Sequence, residues 1–182
     1  MKVIIFGASR GTGFQVMKQA LTADYEVTAI VRNPTALTIR HNKLKIIKGD
    51  VLQRSTFEKE VTENTTVIST LGAKNEAGMT VYSNGLTNII KIMETAGARR
   101  LLCLSALGVE VTPGMPFIMK VITKQVLQKL LKYNFTDLLR MESIVKQSKL
   151  DWTIVRPPRL SNRTPSGKYR LSFGGYVDNP GS

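Results

Sequence analysis

Short apolar runs recur along the chain, at residues 3–6, 27–31, 44–47, 66–70, 101–104 and 153–155. Each run is continuously apolar rather than alternating, which is the pattern of strands covered on both faces. Between them, apolar residues fall at helical spacing. One helix is predicted to open at Gly13, one to cover 55–61, one to cover 82–96, and a long one to cover 118–148, broken in two near Tyr133-Asn134-Phe135. Gly97 follows Ala96 where a helix C-cap needs a residue tolerant of positive φ. Strand and helix alternating in this way specify an α/β fold: a Rossmann-like doubly wound parallel sheet flanked by helices, with right-handed crossovers.

After Pro157-Pro158 the pattern becomes irregular, with 168–173 as a late strand and Gly174-Gly175 as a turn. No repeat or low-complexity tract divides the chain. Residues 1–182 therefore read as one nucleotide-binding domain whose substrate pocket is formed by its C-terminal loops. Asp178 to Ser182 contain no closing helix, a pattern that fits either a missing terminal segment or a natural short end.

Hydrophobic residues make up 42% of the 182, and no apolar run nears the ~18 residues that cross a bilayer. Met1 leads directly into a strand, without the charged and apolar regions of a secretory signal, so a cytoplasmic protein with no membrane association is expected. Cys103 is the single cysteine and lies in an apolar run, where a buried structural thiol is the expected role. His41 is the single histidine and stands in the polar stretch Arg40-His41-Asn42-Lys43. A histidine-based metal centre or catalytic triad is thereby disfavoured, and no metal is expected.

Lys and Arg number 26 against 13 acidic residues, a formal charge of +13. That balance favours an anionic partner: nucleic acid, a membrane surface or a phosphate-bearing cofactor. The cations are dispersed, however. Lys120, Lys124, Lys129 and Lys132 follow an apolar helical pattern and read as a solvated face, which argues against nucleic acid.

The turn Gly7-Ala8-Ser9-Arg10-Gly11-Thr12-Gly13 follows an apolar strand and opens a helix, the context a dinucleotide fingerprint requires. Gly7 suits a tight turn, Gly11 a close backbone approach to pyrophosphate, and Gly13 close helix-to-strand packing. Free amides and the positive helix dipole would face the phosphates, so Ser9, Arg10 and Thr12 join the glycines as expected cofactor-binding residues. NAD-preferring sites end the second strand with an acid that binds the ribose 2′-hydroxyl. Here it ends in Arg32, a planar fork suited to a 2′-phosphate, with Arg10 able to flank it. Both arginines also fit solvated surface positions, yet together they favour NADP(H) over NAD(H).

Asp50 and Val51, after the third strand, lie where adenine is expected; Asp50 reads either as an acceptor from the adenine amino group or as a turn aspartate. Leu71, Gly72 and Lys74, after the fourth strand, are placed at the topological switch point where such sheets bind ligands.

These segments, namely Ile5-Phe6-Gly7-Ala8-Ser9, Val31-Arg32-Asn33, Gly49-Asp50-Val51-Leu52, Ser69-Thr70-Leu71-Gly72 and Leu104-Ser105-Ala106-Leu107, occur in order, followed by 151–158. The chain resembles the atypical short-chain dehydrogenases of the NmrA-like, NAD(P)-binding group. Within it, the flavin reductases (biliverdin-IXβ reductases) are most similar. The resemblance implies that Ser105 lies near the nicotinamide as the catalytic residue. It also implies that Pro157 borders the cofactor, and that Lys74, Pro158 and Arg159 border the substrate. It agrees in placing Arg32 at the 2′-phosphate.

The chain departs from those reductases at Arg159 and Leu138, where they carry histidines, and near Ala36, where they carry a further arginine. The Tyr-x-x-x-Lys pair of the main short-chain branch is also missing, since Ala29, Leu86, Asp137, Phe173 and Pro180 stand four residues after the tyrosines. Acid-base reduction of carbonyls is therefore unsupported. Hydride transfer to a flavin or quinone asks little of protein acids and bases, because the acceptor's own electronics carry the chemistry. The expected function is NADPH-dependent reduction of such a planar acceptor, with flavin as a substrate and Arg159 attracting an anionic tail. The alternative is a non-catalytic NADP(H) sensor acting through a protein partner.

Overall fold

The apolar runs become six parallel strands: β1 (Lys2–Phe6), β2 (Glu26–Val31), β3 (Leu44–Lys48), β4 (Thr65–Ser69), β5 (Arg100–Leu104) and β6 (Asp151–Val155). They form one sheet in the order β3-β2-β1-β4-β5-β6. Strand order therefore reverses between β1 and β4. Phe6 pairs with Ser69 in that register, so the carboxyl ends of the two strands finish level and a crevice opens beyond them. The computed structural model describes residues 1–123, 125, 128–158, 160–161, 167, 169–175 and 177.

Helices cover the sheet because their buried stripes recur at helical spacing. In α1 (Gly11–Thr22) the stripe is Gly13, Met17, Ala20 and Leu21, which packs with Val3, Ile5, Ala29 and Val31 on one face. On the other face α2 (Val81–Ala96) contributes Leu86, Ile89 and Met93, packed with Ile4, Phe6, Val67 and Leu101. Each such side chain, fully buried, contributes on the order of 1.5–3 kcal/mol. Two short helices, α3 (Phe117–Ile122) and α4 (Gln128–Leu130), lead into α5 (Lys132–Gln147), which packs on the same face as α2. Gly97 ends α2 with φ +76°, as its position after Ala96 predicts.

One contact between α2 and α5 governs the site. The N-cap of α2, Thr80, makes no side-chain capping bond. Asp137, fully buried on α5, accepts instead from the backbone N–H of Tyr82 at 2.8 Å, that of Ser83 at 3.3 Å, and the Ser83 hydroxyl. A carboxylate there satisfies otherwise unpaired amides and complements the helix dipole. The two helices are thus locked in register beside the cleft.

Three sequence expectations need correction. Residues 55–61 form two 3₁₀ turns, Arg54–Thr56 and Glu58–Glu60, rather than an α-helix. The Thr56 hydroxyl turns back onto Gln53 O at 2.6 Å and accepts from Asp50 N–H at 3.0 Å, a local alternative that competes with helix. The interruption in 118–148 falls before Lys132, so Tyr133, Asn134 and Phe135 belong to the first turn of α5. Burial of Phe135 and Leu138 in the core outweighs the weak helix preference of that tripeptide. Residues 169–173 are not a strand. Tyr169, Leu171 and Phe173 are exposed, since an apolar alternation becomes a strand only with a neighbour to pair. Lys168 lies outside the described residues. Among the described residues, no helix is long and apolar enough to cross a membrane.

Candidate functional site

A cleft of about 900 Å³ opens at the carboxyl ends of the strands, running from the β1–α1 turn past β4 to the start of α5. Its floor is built by close backbone approach. A Cβ at Gly7, where φ is +81°, would lie 2.3 Å from the carbonyl oxygen of Thr70. One at Gly13 would lie 2.3 Å from both the Gly7 oxygen and the Thr70 hydroxyl. Thr70 closes the junction by donating its N–H to Phe6 O at 2.9 Å and its hydroxyl to the same oxygen at 2.7 Å. The glycines thus let β1, β4 and α1 meet at one point, with the N-terminus of α1 aimed into the cleft. A side chain at either glycine would clash with this junction.

Most of the sequence-predicted residues come together here. Gly7, Ser9, Arg10, Gly11, Thr12, Arg32, Asp50, Val51, Leu71, Gly72, Lys74, Ser105 and Pro157 all line the cleft. Gly13 supports it from below without lining it. Pro158 is half-buried outside the lining, and Arg159 lies outside the described residues.

At the β2 end, Arg10 and Arg32 are both exposed, and among the described residues neither is ion-paired with an acid. Asp50 is the acid that lines the cleft nearest to them in the sheet, just after β3. Asp50 accepts from Leu52 N–H at 2.9 Å through Oδ1, so one carboxylate oxygen is committed to the turn. Asn88 donates to Val51 O at 2.9 Å and fixes the same loop to α2. Lys74 is exposed and pairs loosely with Glu76 at 3.7 Å on the rim.

Beyond β4 and β5 the lining turns apolar, with Leu104, Leu131, Phe135, Leu138 and Met79. Ser105 directly follows β5 here, its N–H held by Val155 O at 2.8 Å. Its hydroxyl is buried, without a hydrogen-bond partner of good geometry among the described residues. Close behind it is Glu142, 1% exposed. Arg156 donates Nε–H to Glu142 Oε1 at 2.8 Å and Nη2–H to Oε2, and reaches Glu110 at 2.5 Å. Burial pushes the Glu142 carboxyl up, but hydrogen bonds from Arg156 and Ser105 and the charges of Arg156 and Lys146 outweigh it and hold the pKa below the ordinary carboxylate range. The same hydrogen bond raises that of Arg156. This pair fixes α5 to the end of β6, next to Pro157.

Tyr82 also lines the cleft, and its hydroxyl oxygen accepts Ala73 N–H at 3.1 Å. Burial raises its pKa, so it stays protonated and serves packing rather than proton exchange. Burial likewise pushes the Cys103 thiol up to about 12. Sequence reasoning missed Thr70, Tyr82 and Asn134. Tyr82 sits in a helical apolar stripe that reads as core, and Asn134 lies where a helix break was expected.

Comparison with known proteins agrees with this geometry. An uncharacterised oxidoreductase of Schizosaccharomyces pombe is 39% identical over 56 residues, covering 31% of this chain and 19% of that protein. The match thus spans about a fifth of the curated relative's length. Among solved structures, a Bacteroides thetaiotaomicron protein provisionally named an epimerase superposes with TM-score 0.77 at 24% identity, covering 97% of this chain and 80% of its own. The anaerobilin reductase ChuY of Escherichia coli O157:H7 gives 0.68 at 22% identity, over 97% and 84%. A short-chain dehydrogenase/reductase of Veillonella parvula, solved with NADP, gives 0.69 at 20% identity, over 89% and 71%. At these identities the structures establish the shared fold. Residues 7–180 match the NAD(P)H-binding family, and since that is nearly the whole chain, with the glycine cradle inside it, the protein belongs to that family.

Proposed function

We propose that the protein is an NADPH-dependent reductase that passes hydride to a flavin, quinone or similar planar acceptor. One observation carries the reading: a single cleft joins Arg10 and Arg32, which pair with no acid among the described residues, at one end to an apolar chamber bordered by Ser105 at the other. The arginines suit a 2′-phosphate, and β2 is followed by Arg32 rather than by the acid that binds a bare ribose hydroxyl. The solved relatives named for oxidoreduction, ChuY and the NADP-bound Veillonella protein, support the reaction class.

The residues present fit the cofactor, because Gly7 and Gly13 let β1, β4 and α1 close up where a Cβ would clash, which sets the N-terminus of α1 at the cleft. When bound, NADPH supplies a hydride to the acceptor. The chain's own contribution is to bind and orient: the β1–α1 turn holds pyrophosphate, Arg10 and Arg32 hold the 2′-phosphate, and Ser105 orients the carboxamide or the acceptor. The chamber of Leu104, Leu131, Phe135 and Leu138 excludes water and stacks the acceptor's ring. Pro157 borders that ring, and Lys74 on the rim attracts an anionic tail, with Arg159 and Pro158 extending the substrate side.

Mixing the protein with NADPH and FMN, riboflavin or menadione and following absorbance at 340 nm tests the proposal. Acceptor-dependent oxidation is expected. No turnover across flavins and quinones overturns it, and nucleotide binding without oxidation alongside a co-purifying partner would point to the sensor instead.

A further inference from the structure

Among the described residues Asn134 Oδ1 is a buried side-chain atom without a hydrogen-bond partner, and Asn134 lines the cleft. Buried polar groups elsewhere are matched: Asp137 by three donors, Glu142 by Arg156, the Thr70 hydroxyl by Phe6 O. Native proteins leave few such groups unpaired, and those left in a cleft mark where a ligand completes the bonding.

Asn134 is firmly placed. Its N–H donates to Asn75 Oδ1 at 3.0 Å, and Asn75 Nδ2 donates to Leu130 O at 2.8 Å, tying the loop after β4 to the start of α5. Its neighbours on that wall, Leu131, Phe135 and Leu138, offer no polar side chain. The amide of Asn134 is therefore an isolated polar site on an apolar wall, in the half of the cleft away from the arginines.

We infer that Asn134 is a specificity-determining residue that selects acceptors carrying a ring N–H beside a ring carbonyl, a cyclic imide or lactam such as the pyrimidine edge of an isoalloxazine. The inference rests on the reductase reading above. The side-chain carbonyl of Asn134 accepts the ring N–H, while its amide N–H donates to the adjacent carbonyl. Rotating the amide by half a turn leaves a donor and an acceptor in place. A quinone presents carbonyls but no N–H, so it gains less from this pair. A site built to hydrogen-bond a substrate rejects analogues that lack the matching group, because its own buried polar atoms are then stranded.

The test compares the wild type with Asn134→Leu, an apolar residue of similar size and better helix propensity, using lumiflavin and menadione as acceptors with NADPH. The ratio of kcat/KM for lumiflavin over menadione is expected to fall about tenfold in the variant, the loss typical of one hydrogen bond. Equal falls for both acceptors, or a matching loss of NADPH affinity, would overturn the inference and assign Asn134 to structure or to the cofactor. Lumiflavin binding to the NADP⁺-loaded protein, followed by flavin fluorescence quenching, separates the two proposals. If the wild type binds lumiflavin but reduces nothing, the reductase reading fails while a tenfold weakening in N134L still supports the inference. If the wild type does not bind lumiflavin, the inference fails whatever is reduced.

Discussion

The two ends of the cleft are built by different means. At the dinucleotide end the chain works through backbone: Gly7 and Gly13 let β1, β4 and α1 approach within contact. At the far end it works through side chains that come from distant parts of the chain. Ser105 follows β5, Asn134 opens α5, and the pair Glu142–Arg156 joins α5 to β6. A backbone site demands particular residues at fixed local spacing, whereas a side-chain site demands only that the fold bring its members together. The first kind is therefore readable along the chain and the second is not.

The largest effect is expected where the side-chain end is pinned. Glu142→Leu leaves the Arg156 guanidinium without its buried partner, and removing one member of such a pair costs about 3–5 kcal/mol. The lower figure is expected here, because Arg156 keeps Glu110 and its side chain is 25% exposed. Urea unfolding measures this, and a change below ~1 kcal/mol would show the pair to be dispensable. The sign with pH follows from the depressed pKa. Glu142 contributes stability fully above its unfolded value, near 4.5, and loses it as pH falls through the lower folded value. Unfolding curves between pH 3 and 6 should show wild-type stability rising with pH more steeply than that of Glu142→Leu.

At the backbone end, Gly13→Ala places a Cβ against the Gly7 carbonyl and the Thr70 hydroxyl. Overpacking of this kind costs about 1–3 kcal/mol, and the displaced turn should weaken NADPH binding by a larger factor than it slows any bound-state step. A nucleotide titration monitored by fluorescence decides it; unchanged affinity would mean that the turn does not hold pyrophosphate. Arg32→Ala is gentler, since the side chain is exposed and its field is screened. About a tenfold loss of NADPH affinity is expected, with NADH affinity little changed. Equal losses for both nucleotides would remove the case for a 2′-phosphate contact. The smallest effect concerns Cys103, which is 1% exposed with its thiol pushed up to about 12. A thiol reagent at pH 8 should leave the folded protein unmodified and label it on denaturation; rapid native labelling would show that β5 opens.

Local signals were legible wherever one residue type is required by its immediate neighbours. The six strands follow from continuous apolar runs, the cradle from glycine spacing, and the C-cap of α2 from Gly97. Signals failed where tertiary contacts chose between local options. Thr56 drew residues 54–60 into 3₁₀ turns, burial of Phe135 carried helix through Tyr133-Asn134-Phe135, and residues 169–173 found no strand to pair with. The buried acids of α5 look like ordinary solvated positions in sequence. Only the folded chain shows Asp137 capping α2 and Glu142 gripping Arg156.

The sequence by itself determined the parallel sheet, the dinucleotide cradle and the cationic end of the cleft, because these depend on periodicity, on the missing Cβ of glycine and on formal charge. The tertiary structure alone decided that Ser105 and Asn134 line one cleft. These residues are far apart in sequence, and only the crossover from β5 through α5 to β6 brings them to a single opening.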